Sequence, residues 1–291
     1  MKISQLGEFR LIARLSKFVP TSRSVVLGIG DDAAVLPYTK DKYLLFTTDM
    51  LADKVHFTLT MNPVQIGHKA LACNISDIAA MGGVPIYAVI SIGLPKDTPV
   101  AYIEKIYKGI GQTAKEYGVS IVGGDSIKSN TLTINVALLG VVKKKHLVTR
   151  AGAKPKDWVF VTGPLGGSFK SDRHLTFEPC VEASSFIVRN FKPSAMIDIS
   201  DGLAGDLNHI LEKSNVGAKL WPESVPLHHG ANLGNALNDG EDYALLFTLD
   251  PKMATKLMHW QFKKKVCHFY PIGEITADKK QRIHAKSFTH Y

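Results

Sequence analysis

The feature that most constrains this chain is an acidic turn, Gly28-Ile29-Gly30-Asp31-Asp32-Ala33-Ala34-Val35-Leu36. The two glycines allow a tight backbone path that residues with a side chain follow only with strain. The adjacent aspartates are therefore predicted to lie on a loop or a strand end, where ions can reach them. We expect the rest of the chain to be organised around this turn.

Single aspartates recur along the chain in similar settings, beside glycine, hydroxyl or apolar residues and not beside a salt-bridging lysine or arginine. They are Asp49 after Thr47-Thr48, Asp77 at the end of Asn74-Ile75-Ser76-Asp77, Asp125 after Gly123-Gly124, and the pair in Asp198-Ile199-Ser200-Asp201-Gly202. Taken one at a time, such residues would be expected to cap helices or to stabilise turns. Their repetition instead favours a site at which several carboxylates converge.

Converging carboxylates have a definite chemical consequence. They repel each other and any anionic substrate unless cations lie between them. Aspartate oxygens, helped by threonine hydroxyls and backbone carbonyls, favour Mg²⁺ over zinc or copper, and Mg²⁺ commonly bridges carboxylates to phosphate oxygens. Because these motifs include no Cys or His ligand set, the pattern indicates metal-assisted phosphoryl chemistry.

The common nucleotide-binding signatures are missing from the sequence. It contains no Gly-x-x-x-x-Gly-Lys-Ser/Thr loop and no protein-kinase catalytic set. The run Gly163-Pro164-Leu165-Gly166-Gly167-Ser168 could cradle a phosphate, but a plain turn after a strand is the preferred interpretation. The residues alone therefore indicate magnesium and phosphate, with ATP as one candidate.

Bulk composition narrows the class of protein. With 291 residues, of which 45% are hydrophobic and 21% charged, the chain is predicted to be globular, with one or two domains. We find no apolar run of about 18 residues that would predict a membrane span, and no apolar segment near the first residues that would predict a secretory signal. Three widely spaced cysteines indicate a reducing, cytoplasmic location.

The net charge of +9 could favour an anionic partner such as a nucleic acid. The lysines are scattered, however, and the densest clusters, Lys143–Lys145 and Lys263–Lys265, have few aromatic residues among them. We interpret these clusters as solvated surface. Neither a nucleic-acid partner nor a membrane is expected.

Hydrophobic periodicity predicts alternating helices and strands. Helices are predicted over 4–18, 62–81, 99–117, 179–190, 201–214 and 251–261. Strands are predicted over 25–29, 43–48, 86–94, 119–122, 131–142, 158–162, 195–199, 243–249 and 267–273. The basic segment 143–155 contains Gly152 and Pro155 and is taken as a boundary. We predict an α+β N-terminal domain, residues 1–148, and an α/β C-terminal domain, residues 149–291.

The chain resembles the thiamine-monophosphate kinase family in motifs that cover almost its whole length. The resemblance is carried by the acidic motifs above and by His56-Phe57, Lys69-Ala70-Leu71-Ala72-Cys73-Asn74-Ile75-Ser76-Asp77-Ile78-Ala79-Ala80-Met81-Gly82 and Gly240-Glu241-Asp242-Tyr243. The acidic motifs alone mark a wider superfamily that includes aminoimidazole-ribonucleotide synthetase and selenophosphate synthetase. His56-Phe57 and the Gly-Glu-Asp-Tyr run narrow the resemblance to the thiamine enzyme.

The resemblance implies the aminoimidazole-ribonucleotide synthetase-like two-domain architecture and the in-line transfer of the ATP γ-phosphoryl group to thiamine monophosphate. It also implies a homodimer in which the N-terminal sheets meet, with ATP and the metals near that interface. No side chain is expected to act as a catalytic base, because a phosphate oxygen is already a competent nucleophile and catalysis reduces to alignment and charge neutralisation.

The resemblance also implies roles for individual residues. At the matching positions stand Asp32, Thr47, Thr48, Asp49, Asp77, Asp125, Asp198 and Asp201 for magnesium; Gly124, Asp125, Arg150, Ser200 and Tyr107 for ATP; and His56, Glu241 and Phe288 for thiamine monophosphate. Asp31 is expected to act indirectly. For Tyr107 and Phe288, simple packing is the alternative.

Two departures and two rival functions accompany this hypothesis. Cys180 stands where the family often has a basic residue, and Asp239 stands where it has a glycine, so the details of substrate affinity are expected to differ.

One rival is another ATP-dependent synthetase of the superfamily, which would use the same aspartates without forming thiamine diphosphate. The other is a non-catalytic protein that binds nucleotides or nucleic acid, which would be indifferent to the loss of Asp49.

Overall fold

A computed structural model describes residues 5, 7–264 and 268–284. The helices are α1 (Glu8–Leu15), α2 (Pro63–Ala80), α3 (Val100–Tyr117), α4 (Val181–Asn190), α5 (Leu203–Ser214), α6 (Leu233–Asn238) and α7 (Pro251–Lys264). The strands are β1 (Ala34–Pro37), β2 (Lys42–Ala52), β3 (Val84–Leu94), β4 (Ser120–Lys128), β5 (Thr133–Lys143), β6 (Trp158–Val161), β7 (Ala195–Asp198), β8 (Gly217–Leu220), β9 (Leu245–Leu249) and β10 (Tyr270–Thr276). Over the described ranges, none of the helices is long and apolar enough to cross a membrane.

The first sheet has the strand order β1-β2-β5-β3-β4, with β3 and β4 parallel and the other neighbours antiparallel. Helices α2 and α3 pack on one of its faces, where Leu71 and Ile75 of α2 share a core with Ile134 of β5. The two helices approach backbone to backbone, since a Cβ added at Gly67 would lie 1.9 Å from the carbonyl oxygen of Ile106. Only glycine permits this approach.

The opposite face of the first sheet is open. Burial alternates residue by residue along β5, as expected for a sheet with one covered face. The open face carries large apolar side chains, of which Phe46 is 45% and Met50 60% exposed. All residues of the edge strand β4 are exposed, so this sheet presents both an apolar face and an unpaired edge.

The second sheet has the order β7-β9-β6-β10-β8, and every pairing is antiparallel. It is covered on both faces. Val159 and Val161 of β6 pack in a core shared with α5, whereas Phe160 packs in a core shared with α4 and α7. All five residues of β9 are buried, which explains why four of the five are apolar.

The structure corrects several predicted elements near the acidic motifs. Residues 25–29 do not form a strand but a single bridge between Leu27 and Val35, because Gly30 turns the chain with a φ of 120° before β1 begins. Strand β2 continues to Ala52, so Asp49 lies inside the strand and not at its end. Likewise, Asp125 lies within β4. The short elements β8 and α6 were not predicted.

Candidate active site

A cavity of about 370 Å³ lies between the acidic turn, β2, α2 and the loops that follow β7 and precede β9. Its lining contains most of the residues singled out from the sequence: Asp31, Asp32, Thr47, Thr48, Asp49, His56, Asp77, Arg150, Asp198, Ser200, Asp201 and Glu241. Met50, Leu51, Cys73 and Tyr243 complete the lining. The fold thus brings motifs from both sheets to one place.

Three carboxylates form the acid cluster, which we define as Asp32, Asp77 and Asp198. One oxygen atom from each lies within 4.8 Å of the others. The acidic turn supplies the first, the last turn of α2 the second and the end of β7 the third. Neighbouring hydroxyls orient the cluster: Thr47 Oγ1 donates to Asp77 Oδ2 at 2.5 Å, and Ser76 Oγ donates to Asp198 Oδ2 at 2.6 Å.

Burial and mutual repulsion make the acid cluster electrostatically unfavourable on its own. Burial, followed by the charge of Asp32, raises the pKa of Asp198 to about 8. Burial, followed by the charges of Asp49 and Asp198, raises the pKa of Asp77 well above its usual range. Within the described part of the chain, Asp32 Oδ2 is buried without a hydrogen-bond partner. Oxygen donors that are buried, crowded and unsatisfied fit a hard divalent cation.

Arg150 contributes a positive charge to this end of the cavity. Its Nη2 atom donates to Asp32 Oδ1 at 2.6 Å, and its backbone N–H donates to Asp31 Oδ2 at 3.2 Å. The two aspartates raise the pKa of the Arg150 guanidinium, so the side chain stays charged. Burial and the neighbouring Asp32 raise the pKa of Asp31 to about 7. Asp31 therefore accepts from the Arg150 backbone, and the indirect role expected for it stays a prediction.

Two further predicted ligands, Asp49 and Asp201, line the same cavity as the acid cluster. The backbone N–H of Asp49 donates to Asn74 Oδ1 at 3.1 Å, which ties β2 to α2. The backbone N–H of Asp201 donates to Asp206 Oδ2 at 3.1 Å. Burial and Asp201 raise the pKa of Asp206 well above its usual range. Sequence reasoning missed Asp206, although an aspartate on the apolar side of the α5 pattern was a usable signal.

At the other end of the cavity lies the lysine cluster, which we define as Lys69, His174 and Glu241. Lys69 is 0% exposed. Its Nζ atom donates to the backbone oxygen of His56 at 2.9 Å and to His174 Nδ1 at 2.9 Å, and it forms an ion pair with Glu241. Burial and Lys69 lower the pKa of His174 to about 3, so this ring is neutral. Sequence reasoning assigned no role to Lys69 or His174.

The loop that carries Glu241 is held in an unusual backbone conformation. Gly240, Glu241 and Tyr243 have φ angles of 69°, 60° and 52°, a region that side chains disfavour. A Cβ on Gly240 would lie 2.3 Å from the carbonyl oxygen of Ser200, so this position requires glycine. The backbone N–H of Glu241 donates to that same oxygen at 2.7 Å. The loop is thereby fixed against the Asp198–Gly202 motif.

The same loop also clamps the glycine-rich turn that follows β6. The carboxylate of Asp242 accepts from the backbone N–H of Gly166 at 2.7 Å and from Arg173 at 2.7 Å. Asp239 accepts from the backbone N–H of Gly167 at 3.2 Å. Because these N–H groups already have carboxylate partners, the turn interpretation is preferred over a phosphate cradle. Asp239, the departure noted in the sequence, has a structural contact here.

Three predicted residues lie apart from this cavity. Tyr107, Gly124 and Asp125 line a separate depression of about 420 Å³ along the exposed edge strand β4. Phe288 lies outside the described residues.

Comparisons with known proteins agree with this arrangement. Family models of AIR synthase related protein match the chain with their N-terminal domain over residues 30–142 and their C-terminal domain over residues 133–286. A thiamine-monophosphate kinase of Aquifex aeolicus (strain VF5) is 38% identical over 276 residues, which cover 85% of this chain and 87% of that relative. The Escherichia coli (strain K12) thiamine-monophosphate kinase is 33% identical over 299 residues, or 94% of this chain and 91% of that relative.

A solved structure described as AaThiL complexed with AMPPCP and TMP matches with a TM-score of 0.87 at 32% identity, covering 100% of this chain and 99% of that chain. The two domains and the acidic cavity between them define the class of protein: the AIR synthase related proteins. Within that class, the chain belongs to the thiamine-monophosphate kinase family. The expected family and the two-domain architecture are therefore confirmed.

Proposed function

We propose that this chain transfers the γ-phosphoryl group of ATP to the phosphate of thiamine monophosphate and so forms thiamine diphosphate. The observation that carries the proposal is the convergence of the acid cluster, Arg150, His56 and Glu241 on one cavity. Relatives named thiamine-monophosphate kinase and the match to a structure with an ATP analogue and TMP support it.

The proposed metal is Mg²⁺, bound by oxygen atoms. Its ligands would be Asp32, Thr47, Thr48, Asp49, Asp77, Asp125, Asp198 and Asp201. Mg²⁺ when bound supplies neutralisation of the phosphate charges and alignment of their oxygens. The crowding of Asp32, Asp77 and Asp198 within 4.8 Å supports this assignment.

The protein's own residues would then divide the work. Arg150 is held by Asp31 and Asp32 at the acidic end, where it can offer its remaining donors to a phosphate. Ser200 and the separate depression at Gly124, Asp125 and Tyr107 would contact ATP, whereas His56 and Glu241 would receive thiamine monophosphate. No base is required, since the accepting phosphate oxygen is already anionic.

We also propose a homodimer formed by the first sheets of two protomers. Its open face exposes Phe46, Met50 and Tyr87, and a partner would bury them. Sharing of the ATP site between protomers would account for the distance of Asp125 from the other acidic residues in one chain. We further propose a division into residues 1–148 and 149–291, and a cytoplasmic location.

The test is to measure thiamine diphosphate formed from thiamine monophosphate and Mg-ATP, with unphosphorylated thiamine as a parallel substrate and Asp49→Asn as the inactive control. Product from the monophosphate alone, lost in the variant, is the expected result. ATP hydrolysis without thiamine diphosphate would instead indicate another ATP-dependent synthetase of the superfamily. Salt-sensitive nucleic-acid binding that survives Asp49→Asn would indicate the non-catalytic alternative.

A further inference from the structure

Lys69 is a charged side chain in an interior position. It lies in α2 among buried apolar neighbours such as Ala70 and Leu71, and it is 0% exposed. An ammonium group removed from water costs several kcal/mol unless its charge and its donors are matched. A lysine retained at such a position therefore needs compensating partners, and here it has them.

The partners of Lys69 account for all three of its donors. Its Nζ atom reaches the His56 backbone oxygen at 2.9 Å, His174 Nδ1 at 2.9 Å and the Glu241 carboxylate. An ammonium group has three N–H donors. Since His174 Nδ1 accepts, the proton of this neutral ring is on Nε2, which is buried with no partner among the described residues. Lys69 is thus held as a cation in a fixed orientation.

The three partners belong to segments that are distant in sequence. His56 precedes α2, His174 follows the glycine-rich turn, and Glu241 lies in the strained loop before β9. His56 and Glu241 both line the cavity, whereas Lys69 does not. Lys69 therefore lies behind two cavity residues that the resemblance places against thiamine monophosphate, and it contacts both.

We propose that Lys69 is a positioning residue for the acceptor substrate. It holds the Glu241 carboxylate and the His56 segment in the arrangement that receives thiamine monophosphate, and it has no role in ATP binding. This inference rests on the proposed function, because it takes the acceptor to lie against His56 and Glu241. Among the described residues, Lys69 makes its hydrogen bonds and ion pair with His56, His174 and Glu241 and not with the acid cluster, and so a defect at Lys69 should affect the acceptor alone.

The test measures the KM for each substrate and kcat for Lys69→Met, Glu241→Gln and the double variant. The expected result for Lys69→Met is a KM for thiamine monophosphate raised at least about tenfold, with the KM for ATP changed less than about twofold. The double variant removes both charges together, so it retains charge balance in the interior even if Lys69→Met folds poorly. Its KM for thiamine monophosphate should match that of Glu241→Gln within about twofold.

The matched control is Ser184→Ala. Like Lys69, Ser184 is buried and donates to a backbone oxygen, which in this case is that of Ala79 in α2. It should leave both KM values unchanged. The proposal is wrong if the KM for ATP rises as much as that for thiamine monophosphate. It is also wrong if the effects of Lys69→Met and Glu241→Gln multiply in the double variant. If the wild-type protein formed no thiamine diphosphate, the proposed function itself would fail, whatever the variants did.

Discussion

Two buried charge clusters flank the same cavity, and they are built in opposite ways. The acid cluster places three carboxylates within 4.8 Å and depends on Arg150 for its nearby positive charge. The lysine cluster combines one ammonium, one carboxylate and one neutral imidazole. Under the proposed function the first would bind cations from solution, whereas the second contains its own cation. The acid cluster therefore has an excess of negative charge in the protein alone, whereas the charges of Lys69 and Glu241 balance each other.

This contrast has an energetic basis. Like-charged carboxylates in a low-dielectric region raise each other's pKa, and under the proposed function a bound cation would offset this cost. An internally matched ion pair is stable without a ligand, but removal of one partner leaves a buried unpaired charge. Mutations at the two ends should consequently have different signatures.

The largest effect is expected for Asp77→Asn. Loss of a central carboxylate should lower kcat by at least about 10³-fold, since the bound cations would no longer be aligned. The same change removes repulsion in the metal-free protein, whose free energy of unfolding should rise by about 1 kcal/mol. Activity assays and chemical denaturation in EDTA measure the two quantities. If Asp77→Asn lost stability as well as activity, the acid cluster would not be a site of unfavourable repulsion, and its contrast with the lysine cluster would be wrong.

The next effect in size is the stabilisation of the protein by Mg²⁺, which should depend on the acid cluster and not on the lysine cluster. At a concentration about 100 times its Kd, Mg²⁺ should stabilise the wild-type protein by about 2.7 kcal/mol. This increment should shrink in Asp32→Asn and persist in Glu241→Gln, because Asp32 is a proposed ligand of Mg²⁺ and Glu241 is not. Thermal denaturation with and without Mg²⁺ provides the measurement. An equal loss in both variants would mean that the clusters are not independent.

A smaller effect is expected at the clamp between Arg173 and Asp242. Arg173→Met removes the 2.7 Å contact and leaves the mostly buried Asp242 carboxylate with fewer donors. The free energy of unfolding should fall by about 1 to 2 kcal/mol, and the KM for thiamine monophosphate should rise by a few-fold as the Glu241 loop loosens. Lys170→Met, at an exposed neighbouring residue, is the matched control. Unchanged stability would show that the clamp is dispensable.

The last prediction concerns the pH dependence of stability. The folded state keeps His174 neutral down to about pH 3, whereas the unfolded chain protonates it near pH 6.5. Between these values the unfolded state binds the additional proton, so stability rises with pH and is lost as the pH falls. The slope for one such histidine is at most about 1.4 kcal/mol per pH unit. His174→Gln should reduce that slope in acid denaturation series more than His229→Gln at the surface does.

The sequence predicted the acid cluster better than the lysine cluster, for a physical reason. Asp32, Asp77 and Asp198 each stand in a short local motif whose glycine, hydroxyl and apolar neighbours indicate the chemistry. Lys69 begins the run that ends with Gly82, and His174 lies in no such motif, but the proposed role of both arises from a contact between residues 105 positions apart. Periodicity shows that a residue is buried in a helix, but it does not show which distant segment packs against it.

The element boundaries illustrate the same limit. The strands predicted over 131–142 and 243–249 followed from apolar patterns and correspond to β5 and β9. The extension of β2 through Asp49 did not, because ladder pairing with β5 overrides the polar residues in that stretch. The four-residue strand β8 and the six-residue helix α6 have too few residues to show a period.

Helix α2 carries one member of each cluster, Lys69 and Asp77, on a single unbroken segment. With a rise of about 1.5 Å per residue, their backbones are about 12 Å apart along the helix axis. The helix therefore fixes the separation between the acid cluster, which we propose binds Mg²⁺, and the lysine cluster, which we propose lies against thiamine monophosphate. Substitutions between Lys69 and Asp77 leave this separation unchanged. An insertion or deletion of one residue there would rotate Lys69 about the helix axis by about 100° relative to Asp77. The distance between the two clusters is thus set by the number of residues between Lys69 and Asp77 and not by the identity of those residues.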